Sequence, residues 1–158
     1  MRKYWLLKSE PEAYSIDDLK RDKKTYWDGV RNYQARNFLR DQIKKGDQVF
    51  FYHSNAEPPG IAGIAEIIKE GYPDPSQFNL KDVHYDSSSS KENPLWYVVD
   101  LAFVEKFEKI VSLDELKKVK GLEKMLLLKR GQRLSVQPVT EQEWKIILKF
   151  VPNSVKVC

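Results

Sequence analysis

Three short clusters of polar and aromatic residues stand where predicted strands or turns end, and they carry the side chains best suited to chemistry in this chain. They occupy residues 8–10, 27–29 and 52–55. Each combines a flat ring or an aliphatic stem with short hydrogen-bond donors and acceptors. Recognition of a planar heterocycle needs this combination, with aromatic faces above and below the ring and polar groups at its edge. The clusters therefore predict a site that binds a nucleobase.

Each of these residues also has an ordinary structural explanation. A lone Trp such as Trp27 is more often a core residue, because its large apolar area favours burial. Asn32 and Ser54 suit a helix cap or a turn, and His53 suits a hydrogen-bonded position at a strand end. The prediction of a binding site therefore depends on the convergence of the clusters and not on any single residue.

Catalytic motifs are scarce in this sequence. Its one cysteine, Cys158, excludes an internal disulfide and the cysteine-built zinc site of nucleobase deaminases. The strongest enzymatic alternative is a metal-dependent nuclease, because Asp74 with Glu115 and Lys117 superficially resembles a nuclease carboxylate and lysine set. However, Glu115 and Lys117 lie in a predicted amphipathic helix, whereas such sites use ligands that converge from strands. We therefore expect no catalytic residue, no metal and no cofactor.

Positive charge is concentrated in the first third of the chain. Residues 1–45 hold 12 of the 27 Lys and Arg but only 7 of the 23 Asp and Glu. A basic region with interleaved aromatic residues is typical of proteins that bind nucleic acid, although a solvated lysine-rich surface gives the same pattern. Nucleic acid is therefore the partner that the charge distribution favours.

One predicted helix carries much of this basic charge. Arg36, Arg40 and Lys44 recur every four residues and so share one face. We expect this face, with Arg31, to contact the phosphates that flank a captured base. A solvated face that keeps the helix soluble is the alternative explanation, since surface charge is ordinary.

Elements of mixed type must position these residues. Apolar runs predict strands over residues 4–8, 48–53, 61–68, 96–104 and 133–136. Capping residues predict helices after Ser15, Ser112 and Thr140, each with an acidic residue three positions later. Apolar spacing predicts two more helices, over residues 32–45 and 122–128. Because strands and helices do not alternate regularly, the sequence favours an α+β fold over a doubly wound sheet.

The whole chain of 158 residues, 41% of them apolar, is predicted to form one domain. No apolar run approaches the length that crosses a bilayer, so we expect no membrane contact and a location inside the cell. Residues 72–94 are rich in proline and serine and have little apolar periodicity. Within them, residues 82–93 are predicted to be a mobile insertion, to which the sequence assigns no role.

Six stretches together resemble the EVE domain, a PUA-like family related to the YTH readers of methylated RNA. They are YWLLKSEP at residues 4–11, WDGVRNYQARNFL at 27–39, GDQVFFYHSN at 46–55, GIAGIAE at 60–66, YPDPSQF at 72–78 and RLSVQPVTEQEW at 133–144. The stretches run nearly from end to end. The resemblance implies a PUA-like β pseudo-barrel with flanking helices. It also implies a pocket for modified bases, with cytosine derivatives in DNA favoured, and no catalysis.

The resemblance also implies which residues form the pocket. Trp27 matches an aromatic wall of the YTH cage, and we expect it to stack on the base. The full set implied for base binding is Lys8, Ser9, Glu10, Trp27, Asn32, Tyr33, Asn37, Tyr52, His53, Ser54, Asn55, Leu134 and Ser135.

The sequence leaves several partners open. An RNA-binding module and a purely structural or protein-binding domain remain alternatives to a reader of modified DNA. A standalone domain of this kind is expected to be a monomer, and a separately encoded effector protein is one partner that the sequence leaves open. Its expected location is the cytoplasm, or the nucleus if the source is eukaryotic.

Overall fold

The computed structural model describes residues 2–151, so Cys158 lies outside the described residues. The strands are β1 (Tyr4–Ser9), β2 (Lys24–Tyr26), β3 (Gln48–His53), β4 (Gly60–Pro73), β5 (Tyr97–Ser112) and β6 (Val136–Val139). The helices are α1 (Ile16–Asp22), α2 (Tyr33–Asn37), α3 (Leu113–Lys117) and α4 (Glu141–Leu148). A π-helical turn (Phe38–Gln42) extends α2, and 3₁₀ turns cover Pro75–Phe78 and Leu126–Leu128. The predicted α+β fold is confirmed.

All six strands form one open mixed sheet in the order β2-β5-β4-β3-β1-β6. β1 and β3 run parallel, with Leu6 opposite Phe50, and the other neighbours are antiparallel. The pairing of β4 with β5 contains four register shifts, at which both long strands bend. β2 and β6 are the two edges of the sheet.

Side chains alternate along each strand and so divide between two apolar cores. Trp5 and Leu7 of β1 pack on one face beneath α1 and α2, whereas Leu6 packs on the other face beneath α3 and α4. Phe51 and Phe50 of β3 divide in the same way. Helices therefore cover both faces of the sheet, as the flanking helices of the predicted pseudo-barrel require.

Local capping signals are confirmed at three helices. Ser15, Ser112 and Thr140 each accept a hydrogen bond from the backbone N–H three residues later, and the acidic side chain at that position accepts one from the backbone N–H of the cap. These reciprocal bonds satisfy donors that a helix start would otherwise leave free.

Five predicted elements have clearly different bounds in the structure. The strands predicted over residues 61–68 and 96–104 are longer, since β4 extends to Pro73 and β5 to Ser112. The helix over residues 32–45 ends at Gln42, because Asp47 accepts a hydrogen bond from the Lys44 backbone and turns the chain. Only Leu126–Leu128 of the helix over 122–128 is helical. The last strand begins at Val136 rather than 133, because the side chain of Gln132 holds the Leu134 backbone in a turn.

The proline- and serine-rich segment is tied to the sheet by polar side chains. The Gln77 amide donates to the carbonyl oxygens of Asp74 and Trp96 at 2.8 Å each. The Trp96 indole in turn donates to Asp86 at 2.7 Å. These bonds fix where the segment leaves and rejoins the sheet, while the mobility of residues 82–93 stays a prediction.

Candidate nucleobase-binding pocket

A pocket of about 500 Å³ is lined by residues from both ends of the strand order. The end of β1, the end of β2 and the turn before β6 all contribute to its walls. The lining residues are Lys8, Ser9, Ala13, Tyr14, Thr25, Tyr26, Trp27, Asp28, Gly29, Val30, Arg31, His84 and Ser135. One cavity thus brings together segments that are far apart in the strand order.

Trp27 forms an aromatic wall that the core holds in place. Its backbone N–H donates to Val99 at 2.9 Å, which continues the pairing of β2 with β5. Its ring meets Phe51 edge-on, with centroids 5.4 Å apart, and only 8% of the residue is exposed. The Trp27 ring is therefore rigid before any ligand arrives.

The turn after Trp27 is built around a buried carboxylate. Asp74 accepts hydrogen bonds from the Gly29 backbone at 2.9 Å and from Arg31 at 3.0 Å, and Ser76 binds its other oxygen. Burial alone would raise the pKa of Asp74, but these hydrogen bonds hold it below its usual value. Gly29 has φ +77°, a conformation that favours glycine. Asp74 thus fixes the pocket wall.

Polar groups at the pocket differ in how far they are already engaged. The Ser9 hydroxyl donates to the Tyr14 carbonyl at 2.7 Å, which leaves its oxygen as an acceptor. Burial lowers the pKa of Lys8. Asp28 is the one carboxylate of the lining, and partial burial followed by the charge of Asp74 raises its pKa. Within residues 2–151, no other side chain donates a hydrogen bond to Asp28.

His84 forms one side of the pocket. It belongs to residues 82–93, the segment to which the sequence assigns no role. Its backbone carbonyl accepts two hydrogen bonds from Arg31, at 2.7 and 3.2 Å. Its ring lies against Gly29, where an added Cβ would stand 2.7 Å from Nε2. Arg31 therefore links Asp74 below the pocket to the loop at its rim.

The structure brings four of the predicted base-binding residues to this pocket: Lys8, Ser9, Trp27 and Ser135. A second, shallower depression of about 430 Å³ shares Lys8 and is lined by Tyr52, Ser54 and Asn55. Tyr52, Ser54 and Asn55 lie beside the pocket rather than in its lining.

The remaining predicted base-binding residues have internal partners or face away. His53 is buried, and its Nε2 accepts from the Ile16 backbone at 3.1 Å. Leu134 lies in the core. Asn32 caps α2 through the Ala35 backbone, Tyr33 stacks on Trp96, Asn37 accepts from Arg36, and the exposed Glu10 lies outside the lining.

Sequence reasoning missed several residues of the lining. Asp28 and Gly29 belong to the cluster that marked Trp27, so the signal for them was present. Tyr14 and Tyr26 reach the pocket only through the packing of α1 and the pairing of β2. No local pattern distinguishes them from other exposed tyrosines.

The four cations predicted to contact phosphate all have internal partners. Arg31 pairs with Asp74, Arg40 pairs with Asp41, and Lys44 lies 3.8 Å from Glu70. Arg36 donates to the Leu95 carbonyl at 2.7 Å and lies over the Tyr33 ring.

A different basic loop lies beside the pocket. Within the described part of the chain, the side chains of Lys129, Arg130 and Arg133 are exposed and form no ion pair or hydrogen bond. The loop adjoins the pocket because Lys8 Nζ lies 3.5 Å from the Gln132 carbonyl.

The carboxylates of the nuclease alternative are not brought together. Asp74 is occupied by Arg31 and its neighbours, whereas Glu115 caps α3 through Ser112. Between residues 2 and 151, no group of three or more His, Cys, Asp or Glu side chains is arranged to hold a metal ion. In the same range, no helix is long and apolar enough to cross a membrane.

The model of the EVE domain family matches residues 3–150, nearly the whole described chain. This chain belongs to the EVE domain family. Thymocyte nuclear protein 1 of Gallus gallus is 51% identical over 93% of this chain and 68% of its own length. The protein of the same name from Homo sapiens is 48% identical over 93% of this chain and 73% of its own.

Solved structures of related proteins superpose closely on this one. A Pseudomonas syringae protein has a TM-score of 0.89 at 48% identity, with 92% of this chain and 97% of the other covered. Human THYN1, solved in complex with DNA that contains 5-methylcytosine, has a TM-score of 0.88 at 46% identity, with 95% and 98% covered. The family resemblance seen in the sequence is therefore confirmed.

Proposed function

We propose that this EVE domain is a non-catalytic reader that binds a modified cytosine of DNA in the pocket of Trp27. The observation that carries the proposal is one cavity with a rigid aromatic wall, a hydroxyl acceptor and a carboxylate to which no other side chain within residues 2–151 donates. Its volume of about 500 Å³ falls in the usual range for ligand pockets. The relative solved with 5-methylcytosine DNA supports cytosine as the base and DNA as the polymer.

Asp28 supplies selectivity for cytosine in this proposal. Cytosine offers an exocyclic amino group where thymine has a carbonyl oxygen, and Asp and Glu accept from that amino group. A carboxylate at this edge attracts the amino group and repels the carbonyl oxygen. Trp27 stacks on the ring face, and Ser9 accepts a further hydrogen bond. The pocket therefore favours 5-methylcytosine over thymine, although both carry the same methyl group.

A base buried in such a pocket must leave the stack of a duplex, as it does in enzymes that act on single bases. Asp74, the carboxylate of the enzymatic alternative, is occupied here, since it accepts hydrogen bonds from Arg31 and from the Gly29 backbone. The enzymatic alternative is tested by incubating modified and plain DNA with the protein and Mg²⁺ or Mn²⁺. Metal-dependent cleavage that disappears in Asp74→Ala would replace the reader proposal.

The proposal is tested by measuring affinity for free nucleosides and for short oligonucleotides that carry cytosine, 5-methylcytosine or thymine at one position. RNA of the same sequence serves as the comparison polymer. We expect tightest binding of 5-methylcytosine in DNA and measurable binding of the free nucleoside. Equal affinity for the three bases would show that the pocket does not read the base, and a preference for RNA would establish the RNA-binding alternative.

In this proposal, the DNA phosphates are contacted by basic side chains that have no internal partner within residues 2–151. The exposed side chains of Arg130 and Arg133 meet this condition, whereas Arg36 and Arg40 are engaged internally. Each phosphate contact adds about one unit to the dependence of log affinity on log salt concentration. We expect Arg130→Ala/Arg133→Ala to lower that slope by about two units on duplex DNA. If Arg36→Ala/Arg40→Ala lowers it instead, the phosphates follow α2, as the sequence predicts.

A further inference from the structure

The loop over residues 79–85 carries the two most exposed apolar side chains of the described chain. Val83 is 93% exposed and Leu80 is 78% exposed, whereas Tyr33, the next, is 56% exposed. A single exposed apolar residue is ordinary, but two that stand three positions apart on one loop are less so. Because both side chains are largely exposed, they contribute little to the core and are free to contact a ligand.

The loop is held in shape by its own polar residues. Asn79 accepts hydrogen bonds from the Lys81 backbone through its side chain and from the Asp82 backbone through its carbonyl. The Asp82 carboxylate then accepts from the His84 backbone at 2.8 Å and lies 3.2 Å from His84 Nδ1. Two successive turns of this kind fix the backbone and leave Leu80 and Val83 directed into solvent.

This loop forms one rim of the base pocket. His84 lines the pocket, and its carbonyl is anchored by Arg31. Asp82 is close enough to Tyr26 and Asp28 for its charge to contribute to raising the pKa of both groups, after burial. Leu80 and Val83 therefore protrude beside the opening through which a base must enter.

A base that leaves the duplex creates a gap whose neighbouring bases lose stacking, and proteins that kink DNA insert apolar side chains between base steps. We propose that Leu80 and Val83 form a wedge that enters the duplex at the step vacated by the captured base. The inference rests on the proposed function, because without an extruded base there is no gap to fill. It assigns the segment around His84 a role in opening the duplex.

The surface formed by Leu80 and Val83 is continuous with the pocket, and duplex DNA is therefore the ligand that we assign to it. A base held against Trp27 must remain joined to its strand, so its neighbours lie at the pocket opening. Two side chains cover far less than the area of a stable protein interface. They suffice for one base step, which a single apolar side chain can separate.

The test compares Leu80→Ala/Val83→Ala with the parent on three ligands: the free 5-methylcytosine nucleoside, a single-stranded oligonucleotide and the corresponding duplex. Both positions are exposed, so the variant should keep its stability. We expect unchanged affinity for the nucleoside and the single strand, and duplex affinity reduced about tenfold or more. Val104→Ala, a partly exposed apolar position on β5, is the matched control and should leave all three affinities unchanged.

A fluorescent base analogue next to the modified cytosine provides a second readout. Its emission is quenched by stacking on other bases and should be higher in the parent complex than in the variant complex, because the aliphatic wedge holds the base step open. Equal duplex affinity in parent and variant would overturn the wedge and leave the reader proposal standing. Equal losses on all three ligands would also overturn it, since the loop would then only support the pocket. If the parent binds no modified base, the proposed function fails and the wedge fails with it.

Discussion

Replacing Trp27 with alanine tests both its place in the core and its proposed stacking on a base. Trp27 is 8% exposed and meets Phe51 edge-on, so its loss opens a cavity in the core. A change of this size typically costs about 3–5 kcal/mol of folding stability, within a total of about 5–15 kcal/mol. A stacked base separately loses about 1–3 kcal/mol of binding free energy, which is roughly fivefold to more than a hundredfold in affinity.

The matched control is Trp144→Ala. Trp144 is 3% exposed and stacks on Phe50 with centroids 3.8 Å apart, in the core on the other face of the sheet. Both variants should lose similar stability in urea denaturation, but only Trp27→Ala should lose affinity for 5-methylcytosine DNA once corrected for the folded fraction. If both bind like the parent, or both weaken alike, Trp27 does not stack on the base.

Three further changes probe the pocket wall and its charges. Asp74→Asn should lower the free energy of unfolding by about 1.5–3 kcal/mol at pH 7. Because the folded pKa of Asp74 is depressed, the difference in stability between parent and variant should shrink as the pH falls below about 4. A difference that stays constant with pH in urea melts would contradict this. Gly29→Ala should weaken base binding, because the added Cβ displaces the His84 ring. In the control Gly46→Ala, where φ is +95° and no atom lies within 4 Å of the added Cβ, only the backbone should be strained. Equal base affinity of the two variants in titrations would refute this. Asp28→Ala should reduce the preference for 5-methylcytosine over thymine by up to about tenfold, and a retained preference would show that Asp28 does not select the base. The variant should also have a higher melting temperature at neutral pH, because the raised pKa of Asp28 means that its charged form destabilises the fold.

Signals that act over a few residues predicted their elements well. The three capping boxes, such as Ser112 with Glu115, join residues three apart, so the sequence shows both partners at once. β1 and β3 were also predicted nearly to their ends, because their apolar runs are continuous. β2 was missed, since its three residues include no buried one and it exists only through pairing with β5.

The pocket was predictable from local patterns where its residues stand together in the sequence, whereas Ser135 was predicted only through the family resemblance. Ser9 and Trp27 belong to visible clusters at strand ends, and both line the pocket. His53 has a suitable side chain for base recognition, but the Ile16 backbone already uses it. His84 reaches the pocket through Arg31, which is 53 positions away in the chain. Such long-range hydrogen bonds follow from the folded topology and leave no local pattern.

The central claim is that the base lies in the pocket against Trp27. An NMR titration of the protein with the 5-methylcytosine nucleoside tests it most directly. We expect the largest shifts at the Trp27 indole and at the backbone amides of Ser9, Gly29 and Ser135, with thymidine producing much smaller ones. Shifts that centre instead on the neighbouring depression around Asn55, with the Trp27 indole unchanged, would contradict it.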